Sequence, residues 1–328
     1  MIRSLYISSQ GTVLQGLSTA QIESALADEG GVLWVDFQGE PPEVCQPVLE
    51  KTFGFHPLAV DDALQESHVP KIDDWDDYLY IVLHAVSFNP DGGEHLDTLE
   101  LDLFLGPRYL VTHHDTPISA VDRIWAALER DPKRLRPGAM HLTYRLVDDL
   151  VASYMSAVED VEEALETLED DIFASPEPPM LERIFALRRS LLRLRRVLAP
   201  QREVLNHMAR DDYAVIDPSS RVFFRDVYDH LVRLYDLGEN LRDLANGAIE
   251  IYLSAVNNRM NEIMKTLTII TTLFMPISFL TGFFGMNFFG PVAPLGEWTG
   301  GTAFVLAIAL IVLTPVAMFL WMRRRAWM

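Results

Sequence analysis

A single cysteine, Cys45, stands in 328 residues. With no second thiol there is no disulfide within the chain and no cysteine-built zinc site. Positive charge is scarce too: 27 Lys plus Arg face 47 Asp plus Glu, a formal net charge of −20. A nucleic-acid partner needs a basic face, so none is expected. An acidic surface attracts cations instead, and also keeps a domain soluble. The stretch MIRSLYISSQGTVLQ lacks the apolar core of a signal peptide, so export of the N-terminal part is not expected. No nucleophile–His–acid arrangement and no Gly-rich phosphate loop appears, so neither an enzyme nor an organic cofactor is expected. In THHD, His113 and His114 sit at a strand end, where neighbouring side chains point to opposite faces. Joint chelation by the pair is therefore not expected, and His56 is assigned to a turn.

Charge is absent altogether from two apolar runs, LTIITTLFMPISFLTGFFG (Leu267 to Gly285) and TAFVLAIALIVLTPVAMFLWM (Thr302 to Met322). Both meet the roughly 17–25 residues needed to span a bilayer. The loop between them, FFGPVAPLGEWTGG, has no Lys or Arg and one acid, Glu297. Arg259 and Lys265 flank one side, and Arg323, Arg324 and Arg325 form a basic cluster on the other. The positive-inside rule places both flanks in the cytoplasm and the loop outside, with Trp298 and Trp321 at the interfaces. The expected organisation is a large cytosolic domain, a hairpin through the cell inner (plasma) membrane and a short cytosolic tail. The lipid bilayer is thus one partner.

Proline is missing from Ser219 to Met275, and apolar residues recur there at helical spacing. One helix over that stretch would be about 90 Å long and would run from the cytosol into the membrane. Every third or fourth residue of its lower half forms a stripe: Glu250, Ser254, Asn257, Asn261, Met264, Thr268, Thr271, Met275, Ser278, Gly282. The repeat of about 3.5 is the one that turns helices toward one another in an oligomer. A coiled-coil seam would fill it with Leu, Ile and Val, yet here it is mostly small or polar. Small and hydroxyl residues can mediate close helix packing. Alternatively, several copies surround an aqueous path. The extension of the stripe beyond the membrane, through two Asn and a Glu, favours the path, because packing does not require it.

The word Gly285-Met286-Asn287 closes the first span, a second span follows a short loop, and the tail reads RRRAW. Upstream stand FFRDVYDH, YLSAVNNRMNEIMKTLTIITTLFMPISFLTG and HPLAVDDALQESHVPKID. In this order the stretches resemble the CorA-type magnesium channels, the 2-TM-GMN proteins, over most of the chain. The resemblance implies a membrane protein with an α/β cytosolic domain, a long stalk helix and two transmembrane helices, assembled as a homopentameric funnel. The expected boundaries are an N-terminal α/β domain at 1–135, an acidic/basic helical hairpin at 136–215 and a stalk helix continuing into the pore-lining span at 216–285. An external loop at 286–301, a second span at 302–322 and a tail at 323–328 follow. VLWVDF, YLYIVLHAV, TLELDLFLG and RYLVTHHD read as strands. An acidic helix from His141 to Asp171 ends at Pro176, Pro178 and Pro179. A basic helix follows, and opposite charges on the two are expected to pair.

Mg²⁺ dehydrates reluctantly and keeps octahedral oxygen geometry. A conducting site must bind favourably and still let go, so neutral oxygens that hold the hydration shell suit it. The amide of Asn287 is such a group, and five would ring the outer mouth, with Gly285 permitting a close approach. Asn261 would hold a second hydrated ion. By resemblance, Met264, Leu267 and Met275 form a hydrophobic constriction. By resemblance also, Asp62 of one subunit and Asp226 of its neighbour, with Asp61 adjacent, hold a regulatory Mg²⁺ that keeps the ring closed. The family's external loop usually carries a Met-Pro-Glu-Leu-like stretch; here APLGEW moves the acid to Glu297. The expected function is Mg²⁺ influx driven by membrane potential, with Co²⁺ and Ni²⁺ also carried. Two alternatives are a ZntB-type zinc transporter of the same architecture and a non-conducting membrane-tethered scaffold.

Overall fold

The structure, a computed structural model, describes residues 1–65, 69–89, 95–286 and 301–325. They fall into two compact units, Met1–Ile251 and Tyr252–Met328.

The first unit is built on seven strands: β1 (Ile2–Ile7), β2 (Val13–Gln15), β3 (Val32–Gln38), β4 (Lys71–Asp74), β5 (Leu79–Asn89), β6 (His95–Leu105) and β7 (Tyr109–His114). Their order in the sheet is β2-β1-β3-β7-β6-β5-β4. β3 and β7 run parallel, and the remaining neighbours are antiparallel. The central strands are buried on both faces, which is why LYIVL and VLWV read as unbroken apolar runs rather than alternating ones. One face, carrying Val35, Phe37, Tyr80, Val82, Phe104 and Val111, packs against α1 (Thr19–Ala27), α2 (Pro42–Pro47) and α3 (Pro57–Leu64). The other is covered by α4 (Ser119–Arg130), α5 (Ala139–Ala174) and α6 (Pro178–Arg210). There Trp34 meets Trp125 with ring centroids 4.8 Å apart.

Buried carboxylates inside the sheet are each met by hydrogen-bond donors and by a histidine at ion-pair distance. Asp36 accepts from Arg3 Nε at 2.6 Å and from the Thr112 hydroxyl, and His114 Nε2 lies 3.3 Å away. On the opposite face, Asp102 accepts from Tyr80 at 2.7 Å, and His113 Nδ1 lies 3.6 Å from it. The two adjacent histidines thus serve different carboxylates on different faces.

α5 and α6 form the expected helical hairpin, separated by Ser175–Glu177, with Pro178 and Pro179 opening the second helix. They bury facing apolar stripes, Leu150, Tyr154, Val158, Val161, Leu165 and Leu168 against Ile184, Leu187, Leu191, Leu194 and Leu198. The expected charge pairing occurs at the loop end, where Arg183 meets Asp171 at 3.3 Å. Arg195 goes instead to Glu239 of the next helix, and Arg202 lies over Tyr235 there. Apolar burial therefore holds the hairpin, and many of its charges face outward.

α7 is one 64-residue helix, Arg221–Phe284. Asp217 caps its approach, accepting backbone N–H bonds from Ser219 at 3.0 Å and Ser220 at 3.1 Å. Bonds from the Ser219 and Ser220 hydroxyls chiefly, with these backbone bonds, hold its carboxyl below the usual range. The helix continues past Met275 through Pro276, which forfeits a single hydrogen bond to residue 272. A 24-residue helix, α8 (Gly301–Arg324), closes on Arg323 and Arg324, cations suited to the negative end of a helix.

Candidate functional site

In the second unit, the expected stripe is a continuous exposed face of α7. Ser254, Asn257, Asn261, Met264, Leu267, Thr268, Thr271, Met275, Ser278 and Gly282 are all exposed, Met275 at 73%. Glu250, in the first unit, is exposed as well. From Leu267 onward the partly covered positions are Ile269, Thr272, Leu273, Pro276, Ile277 and Leu280. At 100° per residue they centre about 130° around the helix from the stripe. The polar edge is therefore not the side shielded within one chain. The Thr268 and Thr271 hydroxyls donate to Met264 O at 2.7 Å and Leu267 O at 2.9 Å. Back-bonding of this kind satisfies the donor and leaves oxygen lone pairs outward.

The 18-residue apolar windows of α7 and α8 have mean hydropathies of 1.8 and 2.6, and nothing in either window is buried. A core helix of a soluble domain of this hydropathy would be covered, so these two are read as membrane spans.

At the end of α7 the Gly285 N–H donates to Thr281 O at 2.9 Å, and a Cβ on Gly285 would lie 2.9 Å from the same oxygen. That approach is closer than side-chain carbons tolerate, so glycine is required for this last turn. Met286 is half exposed. Asn287 and Glu297, the expected mouth residues, lie outside the described residues. Arg323, Arg324 and Arg325 are exposed at the end of α8, with the Arg325 guanidinium 5.9 Å from the Trp321 ring centre.

The expected regulatory carboxylates lie in the first unit. α3 starts at Pro57, and His56 caps it by accepting the Leu58 N–H at 3.2 Å. The helix presents Asp61, exposed and hydrogen-bonded by Gln65 at 2.5 Å. One residue on, Asp62 receives Lys71 Nζ at 2.5 Å. Asp226 is exposed on the early turns of α7, where its charge, after burial and alongside His230, acts on Asp148 of α5. Burial chiefly, then the Asp226 charge, push the Asp148 carboxyl above its usual range, while His230 opposes them. Within one chain, then, Asp62 is matched by a lysine and Asp226 by a second acid. Among the described residues no group of three or more His, Cys, Asp or Glu side chains converges in metal-holding geometry.

Residues 29–324 match the family model described as CorA-like Mg2+ transporter protein. The chain belongs to the CorA family. It is 32% identical over 314 residues to the cobalt/magnesium transport protein CorA of Thermotoga maritima, covering 94% of this chain and 88% of that one. The complete structure of the CorA magnesium transporter from Methanocaldococcus jannaschii superposes with a TM-score of 0.81 at 26% identity, covering 100% and 99% of the two chains. The zinc transport protein ZntB of Yersinia pseudotuberculosis is 26% identical over 316 residues, 96% of this chain and 93% of its own. The CorA assignment makes the chain a membrane transporter of divalent cations and accounts for the α/β domain, long helix and two spans.

Two residues at the CorA chain's candidate regulatory positions were not singled out from sequence: Lys71, on Asp62, and Asp148, beside Asp226. Lys71 lies in the stretch HVPKID that carried the resemblance. Its reach to Asp62 depends on α3 and β4 being brought together, which no spacing in the sequence reveals.

Proposed function

We propose that the protein is a Mg²⁺ influx channel, a homopentamer in the cell inner membrane with both termini cytosolic. The observation that carries this reading is the exposed polar stripe of α7, on a helix face not shielded within one chain. Five such faces would enclose a path lined by amide and hydroxyl oxygens, from Ser278 and Thr271 to Asn261, Asn257 and Glu250. Met264, Leu267 and Met275 narrow the path, and a narrow apolar stretch gates by losing its water. Asn287 holds the hydrated ion at the outer mouth, with Glu297 nearby, while the Arg323–Arg325 cluster marks the inner surface. The potential supplies the drive: a divalent ion gains about 4.6 kcal/mol per 100 mV. Co²⁺ and Ni²⁺ would follow the same route.

Regulation rests on Asp62 meeting Asp226 of a neighbouring subunit, with Asp61 beside them. Two carboxylates pressed together repel unless a cation bridges them, so bound Mg²⁺ stabilises the closed ring. Replacing both, Asp62→Lys with Asp226→Lys, is expected to make resistance to proteolysis indifferent to millimolar Mg²⁺. Protection that survived the double change would remove these residues from the sensor.

Zinc transport is the second reading, favoured by the ZntB similarity. Flux into proteoliposomes, with dyes for Mg²⁺, Zn²⁺, Co²⁺ and protons, separates the two. Mg²⁺ entry that grows with an inside-negative potential and is abolished by Asn287→Ala is the expected result. Zn²⁺ entry with acidification and no Mg²⁺ entry would favour the second reading. Entry of none of these ions, with or without Asn287→Ala, would speak for a scaffold.

A further inference from the structure

Lys71 stands at the first residue of β4, between two carboxylates. Its Nζ lies 2.5 Å from Asp62 Oδ2 and 2.8 Å from Asp73 Oδ2. It also rests 5.0 Å from the centre of the Tyr80 ring. That ring is pinned, because the Tyr80 hydroxyl donates to the buried Asp102 at 2.7 Å. Strand pairing fixes the rest: Lys71 is opposite Val82, and Asp73 is opposite Tyr80, on the same face of the sheet. Lys71 is 30% exposed, against 47% for Asp62 and 42% for Asp73. The ammonium thus sits in a three-sided seat, more confined than an ordinary surface cation.

We propose that Lys71 is a built-in competitor for the regulatory cation: its ammonium occupies Asp62 when the divalent ion is absent and must shift toward Asp73 for the ion to bind. This rests on Asp62 being the regulatory carboxylate. A divalent ion on Asp62 would meet a like charge a few ångströms away, and that repulsion is substantial at a partly covered site. Asp73 supplies an alternative partner 2.8 Å away, so the lysine can yield without losing its own counter-charge. Lys71 and Asp73 together therefore set the Mg²⁺ concentration at which the sensor fills.

Opposite shifts from two substitutions test this. The readout is the Mg²⁺ concentration giving half-protection of the full-length, detergent-solubilised protein against proteinase K. Lys71→Met removes the competitor and is expected to lower that concentration by about twofold to fivefold, the scale of a close, partly exposed ion pair. Asp73→Asn removes the lysine's alternative seat and is expected to raise it. Lys71→Arg keeps the charge and is expected to stay near the wild type. Lys51→Met makes the same change in net charge at an exposed site and is expected to leave the value unmoved. An unchanged or raised value in Lys71→Met would overturn the proposal, the raised value making Lys71 a support for Asp62 instead. A drop of equal size in Lys51→Met would also overturn it, by reducing the effect to net charge. Asp62→Asn separates the two ideas: unaltered protection there removes Asp62 from the sensor and this proposal with it. Weakened protection in Asp62→Asn alongside an inert Lys71→Met sinks only the role of Lys71.

Discussion

Asp36 and His114 show how a buried charge network leaves a mark on stability. Burial acts to raise the Asp36 carboxyl, but the hydrogen bond and charge of His114, the Thr112 hydroxyl and Arg3 outweigh it and hold it low. Burial acts to lower His114, but Asp36 outweighs it and raises the imidazole above its ordinary 6.5. The carboxylate's contribution is present above its ordinary pKa and fades as pH falls through the depressed value. The imidazolium's contribution is complete below 6.5 and is lost as pH rises through the elevated value. Thermal unfolding followed by tryptophan fluorescence should therefore show the first unit losing stability from about pH 6.5 upward. His114→Gln should flatten that limb; an unchanged slope would place the proton elsewhere. At this scale the sequence carried part of the answer. The adjacent histidines were legible as serving opposite faces, since side-chain alternation in a strand is local geometry. The pairing of Asp36 with Arg3 and His114, of Lys71 with Asp62, and of Asp148 beside Asp226 joins distant stretches and was not legible.

Among the elements, the long helices α5 to α8 and the central strands could be read because their patterns are long, whereas the short helices α1 to α4 were not recognised. β3, β5, β6 and β7 stand where VLWVDF, YLYIVLHAV, TLELDLFLG and RYLVTHHD were read as strands. β1, β2 and β4 were not recognised. β2 is three residues long and exposed, and β4, the edge strand KIDD, is mostly charged, so neither shows an apolar period. Pro276 sits inside α7 rather than at its end, as spans permit where local adjustment re-satisfies the backbone. The hairpin of α5 and α6 was legible from its prolines, whereas its means of attachment was not. Tyr154 of α5 donates to His84 O of β5 and lies 3.1 Å from Gln201 Oε1 of α6, and the same Gln201 oxygen accepts the His84 N–H at 3.0 Å. Three elements are tied at one buried point. Tyr154→Phe, which keeps the volume and deletes the donor, should cost about 1–3 kcal/mol in chemical denaturation. No change in the denaturation midpoint would mean that packing alone holds the hairpin.

For the whole molecule, conduction depends on which side of α7 meets water once copies assemble in lipid. The chain offers a convenient probe, because its one cysteine is silent. Cys45 is fully buried, and burial, with the nearby Glu40 charge, pushes its thiol up to about 11. New cysteines can therefore be placed in the native background one at a time and exposed to a membrane-impermeant, charged thiol reagent in proteoliposomes. Thr271→Cys and Ser278→Cys should react and block Mg²⁺ influx, while Leu273→Cys and Ile277→Cys, on the partly covered face, should resist and conduct as before. Reaction at Leu273 and Ile277 with protection at Thr271 and Ser278 would turn the polar edge away from any aqueous path and contradict the proposed channel.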